Sequence, residues 1–257
     1  MAQWNPATYL QFADERSRPF FDLTARVGAQ HPARVVDLGC GPGQLTASLA
    51  TRWPNAEILG LDSSPEMIEV AEQHRSGKVT FELADLAHWQ PVEPIDVIIS
   101  NATLQWVPSH LDLLPQLVNH LAPEGWLAFQ VPGNFDAPSH ALLHTLADDP
   151  RFAAATAARE RTSSHDAETY LSRLAGLGCE VDAWETSYLH VLNGHDPVFK
   201  WISGTGARPI LQALSGAQRS QFEAEYKAQL RTAYPEQAFG TVLPFRRIFV
   251  VAHRVAP

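Results

Sequence analysis

Between residues 30 and 131, short apolar runs rich in β-branched residues take turns with longer segments whose apolar positions recur every three or four residues. The first pattern predicts strands and the second amphipathic helices. "ARVVDL" is the first strand, and "QLTASLATRW" the helix after it, stopped at Pro54. "AEILGLD" and "SPEMIEVAEQH" form the next pair, with Ser64 as helix N-cap, Pro65 at the first helical position and Glu66 in the first turn. "KVTFELAD" is a third strand. "IDVIISNA" is a fourth, and its near-continuous apolar run suits a strand covered on both faces. "LDLLPQLVNHL" reads as a helix and "GWLAFQV" as a fifth strand. Upstream, Tyr9, Phe12, Phe20, Leu23 and Val27 give residues 8–28 a helical period, which Pro19 is expected to break or kink.

Past residue 132 the rhythm changes. Residues 133–165 are rich in Ala, His, Asp and Pro and hold no clear strand. A helix ending at Gly178 then runs into a strand, residues 196–232 read as helical pieces, and "FRRIFVVAHRV" closes the chain as a strand. Alternating strands and helices make a parallel, doubly wound sheet. The expectation is an α/β fold: a single domain over residues 1–257 with a mostly parallel seven-stranded Rossmann-like sheet. Its core spans about 30–131 plus the C-terminal strands, and a helical lid after strand 5 covers about 133–175 and 195–232.

Composition narrows the function. Apolar residues make up 45% of the 257, enough for a sizeable core. The formal net charge of −9 suits a polyanion binder poorly, so nucleic acid is not an expected partner and any anion site must be local. The two cysteines, Cys40 and Cys179, form no CxxC pair, so no metal site is expected and the usage fits a reducing compartment. The first residues lack the basic and apolar blocks of a signal peptide, and no apolar run reaches the roughly 20 residues that span a bilayer. A cytoplasmic protein without a membrane partner is expected.

The chemistry starts at "VVDLGCGPG", Val35 to Gly43, which closes the first strand and opens the first helix. Glycines here let the backbone turn tightly and approach a ligand. A dinucleotide loop would want a glycine where Gln44 stands, and a phosphate loop a Lys-Ser/Thr pair that is absent. Asp37 would repel a pyrophosphate and suits a ligand with a positive group, such as an α-amino group. Two further acids, Asp62 and Asp85, end the second strand and follow the third, so three carboxylates share the carboxyl edge where such sheets bind ligands.

"DLGCGPG" with these acids resembles the class I S-adenosylmethionine-dependent methyltransferases over about residues 30–131. The resemblance implies S-adenosylmethionine as cofactor. Asp37, Gly39, Gly41 and Gly43 would lie along it, Asp62 and Ser63 at the ribose, and Asp85 and Leu86 at the adenine; residue type adds Asn101 and Gln105 as candidates near the methyl. The loop after the fourth strand, "SNATLQWVP", lacks both the [D/N]-P-P-[Y/F] pattern of amino-group methyltransferases and the cysteine of cytosine C5 enzymes. No general base stands out, which suits an acceptor already ionised at neutral pH, a carboxylate. Such an acceptor needs orientation and a dry pocket, with Trp106 and Leu104 as candidate walls.

"WNPATYLQFADERSRP", "DLGCGPG", "NATLQW" and "WISGTGARPILQAL", in this order, resemble the trans-aconitate methyltransferases over nearly the whole chain. That resemblance implies methyl transfer to one carboxylate of a small polycarboxylate. The two spectator carboxylates would need charge-assisted partners, for which residue type offers Arg208 with Arg16 or Arg18 and Arg246. Along a strand Arg246 and Arg247 face opposite ways, so at most one of them points into the cleft. Methylation of another free acid, such as a malonyl thioester, and a non-catalytic cofactor-binding module remain alternatives; a nicotinamide dehydrogenase is weaker.

Overall fold

Alternating β-branched runs give strands because their side chains pack well on a pleated surface, and each helix between them lays one apolar face on the sheet. The computed structural model describes residues 13–107, 109–157 and 163–255, with side chains from residue 17 onward. Helix α1 (Ala13–Thr24) leads to β1 (Arg34–Leu38), α2 (Gln44–Arg52), β2 (Glu57–Asp62), α3 (Pro65–Ala71), β3 (Val79–Leu83) and β4 (Ile95–Asn101). There follow α4 (His110–His120), β5 (Leu121–Pro132), α5 (Pro138–Ala147), α6 (Pro150–Thr156), α7 (Ala167–Ala175) and β6 (Cys179–Leu192). The chain ends with α8 (Pro197–Ser203), α9 (Arg208–Ala213), α10 (Gly216–Ala233), β7 (Glu236–Gln237) and β8 (Gly240–Arg254). The sheet order is β3-β2-β1-β4-β5-β8-β6, with β7 paired to β8 off this path. Strands β1 to β5 pair in parallel and β8 runs antiparallel to β5.

The chain forms two compact units. The sheet unit holds the described residues up to Pro132, Ser164–Thr186 and those from Arg247 onward. Its core joins Leu38, Ile98, Leu114, Leu127, Phe129 and Val250. Ser64 caps α3 as its sequence implies, accepting the Met67 amide at 3.3 Å, with Pro65 first in the helix. Helix α1 continues through Pro19, which neither ends nor breaks it. Phe20, Leu23 and Val27 are buried as their spacing implies, while Tyr9 and Phe12 lie outside the described residues. The stretch around α7, assigned by pattern to the lid, belongs to the sheet unit. The reason is apolar: Tyr170 and Leu174 are fully buried in the same core as Phe129.

The other unit, Gly133–Ser163 with Ser187–Arg246, is mostly helical. Helices α5 and α10 are tied by buried polar contacts. The Tyr226 hydroxyl donates to the Ser139 carbonyl at 2.7 Å, and the Ser139 amide donates to the Tyr234 hydroxyl at 3.0 Å. In the same unit Trp201 meets the ring of His190 at a tilt and that of Phe245 edge-on, with centroids 4.6 and 5.6 Å away. Strand β7 escapes the sequence pattern because two residues are too few for an alternation to show.

Candidate active site

The carboxyl ends of β1, β2 and β4 meet within the sheet unit, and the glycine loop is built between them. The amides of Gly39 and Cys40 both donate to the Leu61 carbonyl, at 2.7 and 2.9 Å, fastening the loop to the end of β2. Gly39 has φ of +79°, and a Cβ there would meet the Thr103 side chain at 2.1 Å. Only glycine lets the loop after β4 lie against the loop after β1. Gly41 differs: its φ is +56°, but nothing stands within 4 Å of a Cβ. Its backbone faces open space, which is what a ligand lying along the loop requires. Gly43 caps α2 with φ of +84°.

The acids do distinct things. Asp37 is 2% exposed, and its carboxylate accepts the Thr46 hydroxyl at 2.6 Å. Burial pushes its pKa up to about 7; the Thr46 hydrogen bond opposes that rise and the charge of Asp62 adds to it. Asp62 accepts the Gly41 amide and the Ser64 amide, each at 2.9 Å, so it clamps the glycine loop to the start of α3. Its pKa is raised as well, chiefly by burial, against those amides. Two neighbouring carboxylates with raised pKa values favour a cationic ligand between or beside them. Ser63 is exposed, and Leu86 is half-buried against the core. Asp85 is exposed on its loop, accepting the Ala87 amide at 3.0 Å and lying 3.1 Å from His88 Nδ1. Cys40 is a packed residue whose burial drives its thiol pKa upward.

The loop after β4 is strained. Ala102 has φ of +57°, a region a non-glycine residue enters at a cost of about 1–2 kcal/mol. Its amide donates to the Gln130 carbonyl at 2.8 Å and its carbonyl accepts Gln105 Nε2 at 2.6 Å, which hold it there. Among the described residues, Asn101 Oδ1 and Gln105 Oε1 are buried without a hydrogen-bond partner. Trp106 is half-buried and Leu104 fully buried in the core. Open backbone at Gly41, buried acids and orphaned amide oxygens together fit a polar, positively charged adenosyl ligand such as S-adenosylmethionine.

The arginines separate. Arg18 is exposed on α1 and pairs with Asp22 at 3.8 Å, while the side chain of Arg16 lies outside the described residues. Arg246 is exposed and donates to the Gly133 carbonyl at 2.7 Å. The alternation along β8 therefore buries its neighbour: Arg247 is 4% exposed and donates to Gln130 Oε1 at 2.8 Å. Arg208, at the start of α9 in the helical unit, is 9% exposed. Sequence reasoning missed Thr46, Thr103 and Gln130, and it left the choice between Arg246 and Arg247 open. Gln130 carried a signal, a lone amide inside the apolar strand "GWLAFQV".

Comparison with known proteins agrees with this geometry. The family model described as "Methyltransferase domain" matches residues 12–183. A methyltransferase of Haloferax volcanii, solved with its Trm112 activator, superposes with TM-score 0.63 at 16% identity, over 98% of this chain and 95% of that one. A phosphoethanolamine N-methyltransferase of Haemonchus contortus, solved with S-adenosylhomocysteine, gives TM-score 0.57 at 16% identity, over 93% of this chain and 53% of that one. Fold and site thus define an S-adenosylmethionine-dependent methyltransferase. The trans-aconitate 2-methyltransferase of Streptomyces avermitilis is 51% identical over 98% of this chain and 97% of its own. That of Methylobacterium nodulans is 50% identical over 99% of both chains. The chain belongs to the trans-aconitate 2-methyltransferase family. Among the described residues no group of three His, Cys, Asp or Glu side chains is placed to hold a metal ion, and no helix is long and apolar enough to cross a membrane.

Proposed function

We propose that this protein transfers a methyl group from S-adenosylmethionine to one carboxylate of trans-aconitate. The products are a monomethyl ester and S-adenosylhomocysteine. The observation that carries this is the loop Asn101–Trp106, which borders the cofactor edge with two amides, a hydroxyl and an indole and holds no titratable side chain. A carboxylate acceptor is ionised at neutral pH and needs no base. Half-identity with trans-aconitate 2-methyltransferases along both units supports the particular acid.

Asp37 would hold the ammonium group of the cofactor and Asp62 the ribose hydroxyls, with Ser63 beside it. Asp85 and Leu86 would border the adenine, and Gly39, Gly41 and Gly43 supply the backbone surface. Bound there, S-adenosylmethionine supplies a sulfonium methyl that a carboxylate oxygen can displace. Asn101, Gln105 and Trp106 would orient the acceptor and exclude water. Arg208 would pair with a spectator carboxylate as a bidentate fork; the surface positions of Arg18 and Arg246 favour them less. An enzyme of the cytoplasm with no nucleic-acid partner fits two unpaired cysteines and a charge of −9. Turnover with labelled cofactor should show transfer to trans-aconitate above cis-aconitate, citrate and isocitrate. No transfer to any of the four would sink the reading.

A further inference from the structure

Beside the methyl-transfer edge, the sheet unit carries a polar pair that the cofactor does not require. Asn101, last in β4, lies in register with Gln130 of β5, and β8 runs alongside with its N-terminal part at the same edge. Adjacent strands in register put these side chains on one face. Gln130 is fully buried, and its Oε1 accepts Arg247 Nη1 at 2.8 Å. A guanidinium has no acceptor atom, so the amide can turn only its oxygen toward Arg247. Its Nε2 then points elsewhere, and it is buried with no hydrogen-bond partner among the described residues. A buried donor left unmade costs far more than a hydrogen bond gains, so a native protein keeps one for a ligand or an ordered water.

Gln130 and Arg247 together therefore present donors at the carboxyl edge, one neutral and one cationic. The amide orients the guanidinium without cancelling its charge. What complements an amide donor beside a guanidinium is a carboxylate, since an amine or a second amide donor would be repelled. The position next to Asn101 places such a group on the sheet itself rather than on a loop. We infer that Gln130 and Arg247 form a binding site for a spectator carboxylate of the acid substrate, with Gln130 holding the Arg247 fork in place. This rests on the acid-methylating reading above and adds a specificity element that the arginine pattern alone assigned to Arg246.

Calorimetry on the full chain saturated with S-adenosylhomocysteine reads the site without turnover, using trans-aconitate and fumarate as probes. Gln130→Met keeps the volume and removes the donor, and Arg247→Lys keeps the charge and removes the fork. Each should weaken trans-aconitate binding by about tenfold to a hundredfold, the loss of one hydrogen bond to a charged group. The preference for trans-aconitate over fumarate, which has one carboxylate fewer, should shrink with it. Affinity for S-adenosylhomocysteine should stay at the wild-type value, while the melting temperature of Gln130→Met falls modestly because a buried Arg247 N–H loses its acceptor. Unchanged trans-aconitate affinity in Gln130→Met would overturn the inference, as would parallel loss of affinity for both ligands. A wild type that binds no trans-aconitate would overturn the functional reading together with it; a wild type that binds it beside an unaffected Gln130→Met would overturn the inference alone.

Discussion

Asp37 shows how one buried side chain ties stability to ligand binding. Its carboxyl titrates near 7 in the fold against 3.8 in an ordinary setting, because burial penalises the charged form. A folded pKa above the unfolded one means that the contribution is fully present below about pH 4 and is lost as pH rises through about 7. The ligand-free protein should thus lose up to a few kcal/mol from this group between those limits. Cofactor binding should run the other way, since an ammonium group pairs with the ionised form. S-adenosylmethionine affinity is expected to rise from pH 6 to 8 and to release protons, measured by calorimetry in buffers of different ionisation enthalpy. Asp37→Asn should bind more weakly and show neither effect; an unchanged pH profile in that variant would remove Asp37 from the ammonium site. That Asp37 ends the first strand just before the glycines was legible in the sequence. Its high pKa was not, because desolvation depends on the helix laid over it, and Thr46 reaches it only through the turn of α2.

At the scale of elements, the loops after β1 and β4 have to be read together. Gly39→Ala would force a Cβ into Thr103 and hold a non-glycine residue at φ of +79°. The two costs, about 1–2 kcal/mol for the backbone and about 1–3 for the overpacking, should appear as a lower melting temperature and as weaker cofactor binding. Pairing it with Thr103→Gly should recover the packing part and leave the backbone part. Strictly additive losses would mean that the two loops do not touch in solution. The strand and helix periods were plain in the sequence because burial sets them locally. Contact between Gly39 and Thr103 was not, since it joins positions 64 apart in the loops that follow neighbouring strands. The same limit explains the arginines on β8. Alternation foretold that at most one of Arg246 and Arg247 turns inward, but finding that Arg247 is the buried one needed the register of β8 against β5. Helix α7 was misplaced for a related reason: Tyr170 and Leu174 show helical spacing, yet spacing does not say which core a helix joins.

At the scale of the whole molecule, an acidic protein is paired with an acidic substrate. A chain of net charge −9 repels a trianion at long range, while its arginines attract carboxylates only at contact. The two effects respond differently to salt. Surface repulsion fades over a Debye length of about 10 Å at 0.1 M, whereas a buried fork such as that of Arg247 is screened much less. Between about 0.01 and 0.1 M monovalent salt, kcat/KM for trans-aconitate should therefore rise, with kcat itself nearly flat. A steep fall with salt would show that a positive field reaches beyond the site and steers the acid inward. The enzyme's selectivity would then start at encounter rather than in the buried donors at the end of the sheet.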